Sequence, residues 1–113
     1  TKELLFATKE FSKISNLYIS TEDGSEGEKG FLTQNSLLEK DDFDCILTCG
    51  PTIMMKNVND IAKKKNVPCF VSLENRMACG IGACLCCVVD TIEGNVCTCT
   101  EGAVFNAKDL KEF

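Results

Sequence analysis

Histidine is absent from this 113-residue chain, and with it the side chain best suited to moving protons near neutrality. Basic residues are in the minority, 12 Lys and Arg against 17 Asp and Glu, for a formal net charge of −5. That sign repels a nucleic-acid backbone or an anionic membrane, so the expected partner is a small molecule or another protein, with no nucleic acid and no membrane involved. No apolar run approaches the roughly 20 residues that cross a bilayer, and no charged-then-apolar leader opens the chain; the expected location is cytoplasmic. Internal repeats and low-complexity tracts are also missing. A core of this size is only moderately protected by burial, so any covalent or metal staple would matter.

Cysteine, by contrast, is abundant. There are nine, and six fall between Cys79 and Cys99. A secreted disulfide scaffold would spread them more evenly, and in a reducing compartment the cluster of six is better explained by metal or redox chemistry. Cys45, Cys49 and Cys69 sit in the apolar contexts "FDCILTCG" and "VPCFVSL", where a free thiol behaves as a small hydrophobe.

The segment "TKELLFATKEFSKI" places Leu4, Leu5, Phe11 and Ile14 near one face of an expected amphipathic helix. "NLYIS" reads as a short strand, "TEDGSEGEKG" as a polar loop, and "TQNSLLEK" as one or two helical turns. "FDCILTCG" reads as a buried strand ending at Gly50-Pro51. The following "PTIMMKNVNDIAKKKN" has proline in its first turn, Met54, Val58, Ile61 and Ala62 on one face, and Lys63 to Lys65 in its last turn. "PCFVSL" is a further strand. This alternation of helix and strand predicts an α/β fold with a parallel sheet. After Leu73 the pattern changes. "VVDTIEGNVCTCT" predicts a hairpin turning near Glu93-Gly94. "FNAKDLKEF" predicts a short helix with Asn106 as N-cap, Asp109 as third helical residue, and Phe105 and Leu110 as a hydrophobic staple. The expected domains are therefore 1–73, an α/β unit, and 74–113, a cysteine-rich module. Three parallel strands without a first strand and its glycine-rich phosphate turn are half of the usual nucleotide-binding layout, so a fragment of something larger is expected.

From Cys79 the spacing runs C-x4-C-x2-C, the opening of the plant-type arrangement for a [2Fe–2S] cluster, in which four thiolates hold two irons. The fourth ligand must be Cys97 or Cys99. A strand period of two puts both on one face, so spacing does not choose. Gly80 or Gly82 at positive φ would let the loop curl and turn N–H groups toward sulfur. The alternatives are a four-thiolate zinc site, which usually uses two C-x2-C pairs, and a disulfide cluster. The missing histidine excludes a Rieske centre.

"CGPTIMMKNV", "VSLENRMACGIGACLCCVV" and "CTEGAVFNAKDL" together closely resemble the C-terminal part of the electron-transfer subunits of class 1B dihydroorotate dehydrogenases, relatives of the ferredoxin–NADP reductases. The resemblance covers nearly the whole chain. It implies the C-terminal half of a ferredoxin reductase-like, Rossmann-like NAD-binding domain followed by a [2Fe–2S] domain. It implies cluster ligands at Cys79, Cys84, Cys87 and the cysteine opening "CTEG", Cys99, and leaves Cys86 and Cys97 outside the family pattern. It further implies that Cys49, Gly50 and Pro51 border a nicotinamide, where glycine lets a ring approach and a helix N-terminus presents free N–H groups.

The loop residues Glu22, Asp23 and Gly24 lie at an expected strand end, where open α/β sheets bind ligands. An acidic residue there could accept hydrogen bonds from an adenosine ribose and would oppose a 2′-phosphate, favouring NAD over NADP. A solvated turn is the plainer reading of the same loop. In the full subunit, as the resemblance implies, FAD and NAD would exchange a hydride. The cluster would relay electrons to or from the FMN of a catalytic dihydroorotate dehydrogenase subunit, in pyrimidine biosynthesis. Related flavin and iron–sulfur reductase subunits, such as sulfhydrogenase gamma, are the next reading, and a zinc-stabilised interaction module without redox chemistry is the third.

Overall fold

The computed structural model describes residues 1–40 and 42–113, and the chain divides into two compact units at residues 41 and 42. The first unit has little regular structure. A 3-10 turn at Lys2–Leu4 precedes α1 (Thr8–Ile14), and Ala7 between them sits at φ 52°, so the expected N-terminal helix is broken in two. No residue of α1 is buried, and Leu4, Phe6 and Ile14 are exposed. Strand β1 (Ser20–Thr21) pairs in parallel with β2 (Glu28–Lys29), and α2 spans Leu37–Lys40 after a 3-10 turn at Leu32–Gln34.

Polar side chains hold this unit. Thr21 Oγ1 donates to the Glu26 carbonyl and accepts from the Glu26 N–H, at 2.9 and 3.2 Å. Glu28 accepts from both the backbone N–H and the hydroxyl of Ser36, at 2.9 and 2.6 Å. The buried Asn35 amide donates to Ser20 Oγ at 2.8 Å. Gly27 at φ 69° passes so close to Ile19 that any Cβ would collide with the Ile19 carbonyl.

The second unit is built on an apolar core. Strand β3 (Ile46–Cys49) leads through Gly50 to α3 (Thr52–Lys65), and β4 (Cys69–Ser72) returns parallel to β3. Pro51 is the N-cap of α3 rather than its first residue. Asn66 closes the helix in the left-handed conformation at φ 56°, its N–H and that of Val67 both reaching back to the Ala62 carbonyl, a Schellman-type stop. Met55, Val58 and Ala62 of α3 meet Cys69 and Val71 of β4 in the core, with Ala107 and Leu110. Each is under 5 % exposed.

The expected all-parallel sheet is not what forms. Of "NLYIS" only Ser20 enters a strand, in the ladder of the first unit. The third strand of the sheet is β7 (Val104–Asn106), antiparallel to β4, giving the order β3-β4-β7. Between them lie the hairpin β5 (Val88–Thr91) and β6 (Gly94–Cys97), turning at Ile92-Glu93, and α4 (Thr98–Glu101). Residues 42–72 and 104–110 thus share one sheet and core, and the expected boundary at 73/74 falls inside this unit. Asn106 caps as expected, accepting from the Lys108 N–H at 3.2 Å, but the helix is a single 3-10 turn, Ala107–Asp109. Phe105 packs on the core from β7.

A cysteine loop as candidate cluster site

The loop from Ala78 to Cys87 has no helix or strand of its own, and its curvature is set residue by residue. Gly80 and Gly82 take φ 70° and 77°, as a tight wrap requires. At Gly82 the need is also steric, because a Cβ would sit 3.2 Å from Thr100 Cγ2 of α4. Leu85 takes φ 58°, a conformation a leucine adopts at a cost and one that no feature of the sequence announces.

The turn aims backbone donors at sulfur. The N–H groups of Ile81 and Cys84 both point at Cys79 Sγ, at 3.4 Å each. Cys84 is held down to about 6 by the Cys86 backbone N–H, with the Cys79 side chain and backbone adding to the effect. Cys87, 2 % exposed, is held below the ordinary thiol range by the backbone N–H of Cys99 first, against the opposing effect of burial. The side chains of Cys99, Thr98 and Cys97 also support its thiolate. The partners move the other way. Cys99 is raised chiefly by its hydrogen bond to Cys87, Cys86 by its hydrogen bond to Cys84, and Cys97 by burial. Cys84 thus interacts with both Cys79 and Cys86, and Cys87 with both Cys99 and Cys97. Among the described residues no group of three or more His, Cys, Asp or Glu converges on a point that would suit one metal ion.

Cys97 and Cys99 do not share a strand face. Strand β6 ends at Cys97 and the chain enters α4 at Thr98, so the two-residue period that left them equivalent does not apply. The Thr98 N–H donates to the Cys87 carbonyl at 3.1 Å and ties α4 to the loop, while Cys97 Sγ faces the Gly82 carbonyl at 4.0 Å.

Of the three outlying thiols only Cys69 is the small buried hydrophobe expected, and burial pushes it up. Cys45 and Cys49 are exposed, because α3 packs on one face of the sheet and leaves residues such as Leu47, 74 % exposed, on the other. Cys49, Gly50 and Pro51 lie where β3 meets α3, and the helix start has no side-chain cap. Glu22, Asp23 and Gly24 lie in the first unit. The Asp23 carboxylate already accepts from Ser25, from N–H at 3.1 Å and from the hydroxyl at 2.7 Å, as in the plain turn reading. A cavity of about 380 Å³ in the second unit is lined by Thr52, Leu73, Asn75, Val88 and Phe113 among others, and no cysteine borders it.

Residues 74–111 match the family model of the iron-sulfur cluster binding domain of dihydroorotate dehydrogenase B. The chain is 48 % identical over 113 residues to a probable dihydroorotate dehydrogenase B (NAD(+)), electron transfer subunit, of Methanocaldococcus jannaschii, covering 98 % of this chain and 43 % of that protein. It is 46 % identical over 97 residues to the electron transfer subunit of Clostridium acetobutylicum, covering 86 % of this chain and 39 % of that one. The chain belongs to the dihydroorotate dehydrogenase B electron transfer subunit family. It spans about two fifths of the length of these relatives. A solved structure of the NADH-dependent reduced ferredoxin-NADP oxidoreductase, an enzyme of flavin-based electron bifurcation, superposes with a TM-score of 0.81 at 33 % identity, over 98 % of this chain and 41 % of that one. Fold and cysteine loop thus agree with an iron–sulfur reductase module of this family.

Proposed function

We propose that the chain is the cluster-bearing part of an NAD-dependent dihydroorotate dehydrogenase electron transfer subunit. Its role is to relay electrons between FAD and NAD on one side and the FMN of a catalytic partner subunit on the other. The observation that carries this reading is the cysteine loop of the family-matched segment, in which the N–H groups of Ile81 and Cys84 converge on the Cys79 sulfur and the Cys99 backbone N–H supports the Cys87 thiolate. A [2Fe–2S] cluster needs two thiolates on each of two irons, and Cys79, Cys84, Cys87 and Cys99 are the four assigned to it. Bound there, the cluster supplies a one-electron station between carriers that each take two electrons.

The chain's own residues prepare that station. The N–H groups of Ile81 and Cys84 meet negative charge at Cys79, and burial around Cys87 keeps water from one end of the site. No histidine is present to abstract a substrate proton, so substrate chemistry is assigned to the FMN-bearing partner. In functional terms residues 74–113 form the cluster domain. Residues 1–73 belong to the NAD-binding domain; Cys49, Gly50 and Pro51 of the second unit are assigned to the nicotinamide, and Glu22, Asp23 and Gly24 of the first unit are assigned, separately, to a ribose. The uncapped start of α3 supports the first of these placements, since its N–H groups remain available to a ligand.

Anaerobic purification tests the reading. A red-brown protein with iron and sulfide in equal amounts, bleached by dithionite, is expected. A colourless protein holding stoichiometric zinc would sink it. Cys99→Ser is expected to abolish or alter the chromophore while Cys97→Ser leaves it, and the opposite pattern would transfer the fourth ligand to Cys97.

A further inference from the structure

Two buried side-chain atoms lack a hydrogen-bond partner among the described residues, Asn59 Nδ2 on the core helix and Thr98 Oγ1 between Cys97 and Cys99. A buried hydroxyl without a partner forfeits its hydration for nothing, at a typical cost of about 1–3 kcal/mol, and calls for an explanation. Thr98 is 2 % exposed, its neighbour Cys87 is equally buried, and its backbone N–H is already committed to the Cys87 carbonyl at 3.1 Å. Its β-branched side chain has restricted rotamer freedom, and the Thr98 N–H bond to Cys87 ties its backbone to that residue. A neutral thiol is a weak acceptor. A metal-bound thiolate is a much better one.

We propose that the Thr98 hydroxyl donates a hydrogen bond to the sulfur of Cys87 when that thiolate ligates the cluster, and that it thereby raises the cluster's reduction potential. This rests on the cluster reading above and adds a residue whose part is to tune rather than to ligate. The direction follows from charge. Reduction adds one negative charge to the iron–sulfur unit, and a donor on a ligating sulfur stabilises the more negative form.

The test compares Thr98→Val, which keeps shape and removes the hydroxyl, with Thr98→Ser, which keeps the hydroxyl, in the full chain under anaerobic conditions. Iron and sulfide analysis and visible absorption come first, so that absence of a cluster from the unaltered protein, which refutes the cluster reading and this proposal with it, is told apart from failure of Thr98 alone. A redox titration followed by electron paramagnetic resonance then reads the potential. Thr98→Val is expected to shift the one-electron equilibrium toward the oxidised form by up to about tenfold, about 59 mV, with Thr98→Ser close to the unaltered protein. Equal potentials in all three overturn the proposal.

If Thr98→Val loses its cluster, the unaltered protein and Thr98→Ser still decide the matter through their reduced clusters in deuterated water. A strongly coupled exchangeable deuteron at the Cys87 end beyond that of the Cys99 N–H supports the bond, and its absence from both refutes it. Removal of the Ile81 and Cys84 donors is not required, because they face Cys79.

Discussion

The two compact units of this chain use polar and apolar residues in opposite ways. In residues 42–113 the apolar side chains Met55, Val58, Ala62, Val71 and Leu110 are buried and the cysteine loop is draped on the structure they form. In residues 1–40 the buried residues are Thr21 and Asn35, the ladder is two residues long, and Leu4, Phe6 and Ile14 face outward. Burial of apolar area is non-directional and tolerant, whereas a polar lattice depends on each donor meeting its acceptor. The first unit should therefore be sensitive to single hydrogen bonds and to pH, and the second to volume.

The largest expected effect falls on the second unit. Met55→Ala, at 2 % exposure, should cost about 2–5 kcal/mol by removing buried methylenes and leaving a cavity. Hydrogen exchange should show protection lost across β3, β4 and β7 but unchanged at residues 19–36; equal loss in both would mean that the units unfold as one. Gly27→Ala is the converse change. Left-handed backbone alone costs an alanine about 1–2 kcal/mol, and the collision with the Ile19 carbonyl adds to it, so the β1-β2 ladder should open while α3 keeps its protection.

Acid should separate the units less sharply. Asp23 and Glu28 are lowered from ordinary values of 3.8 and 4.5, chiefly by hydrogen bonds from the side chain of Ser25 and of Ser36 respectively. A carboxylate with a depressed folded-state value contributes stability that is complete above the ordinary value and disappears as pH falls through the depressed one. Amide shifts of residues 21–36 should move first on acidification below about pH 4, ahead of the core, and a Ser36→Ala variant should reach the same point at higher pH. Amides of both units moving together would refute the contrast.

The smallest effect concerns the loop. Leu85→Gly relieves a left-handed leucine at φ 58° and enlarges the freedom of the metal-free loop, two effects of opposite sign near 1 kcal/mol each. Cluster content should stay within measurement scatter of the parent, and a marked loss would show that the leucine side chain itself has a task.

Helix α3 was legible because its signals are local. Pro51, the lysines at 63 to 65 and Asn66 mark its ends, and a repeating apolar face marks its middle. The hairpin β5-β6 and the Asn106 cap were legible for the same reason. Strand β7 was not. Val104, Phe105 and Asn106 carry no periodic pattern, and only pairing with Ser72, Val71 and Phe70, over 30 residues earlier, makes them a strand. The fate of "NLYIS" is the mirror case, a strand-like composition whose pairing partner is not in the sheet.

The sequence by itself determined the ligand spacing, the glycines that curl the loop and the excess of thiols over any one cluster's need, because spacing and residue type are one-dimensional properties. Only the tertiary structure decided that Cys97 and Cys99 are not equivalent, that two backbone amides aim at the Cys79 sulfur, and that Thr98 is buried with an unmatched hydroxyl. Those facts depend on where β6 stops and α4 begins and on which backbone amides reach Cys87. Such non-local contacts are set by packing.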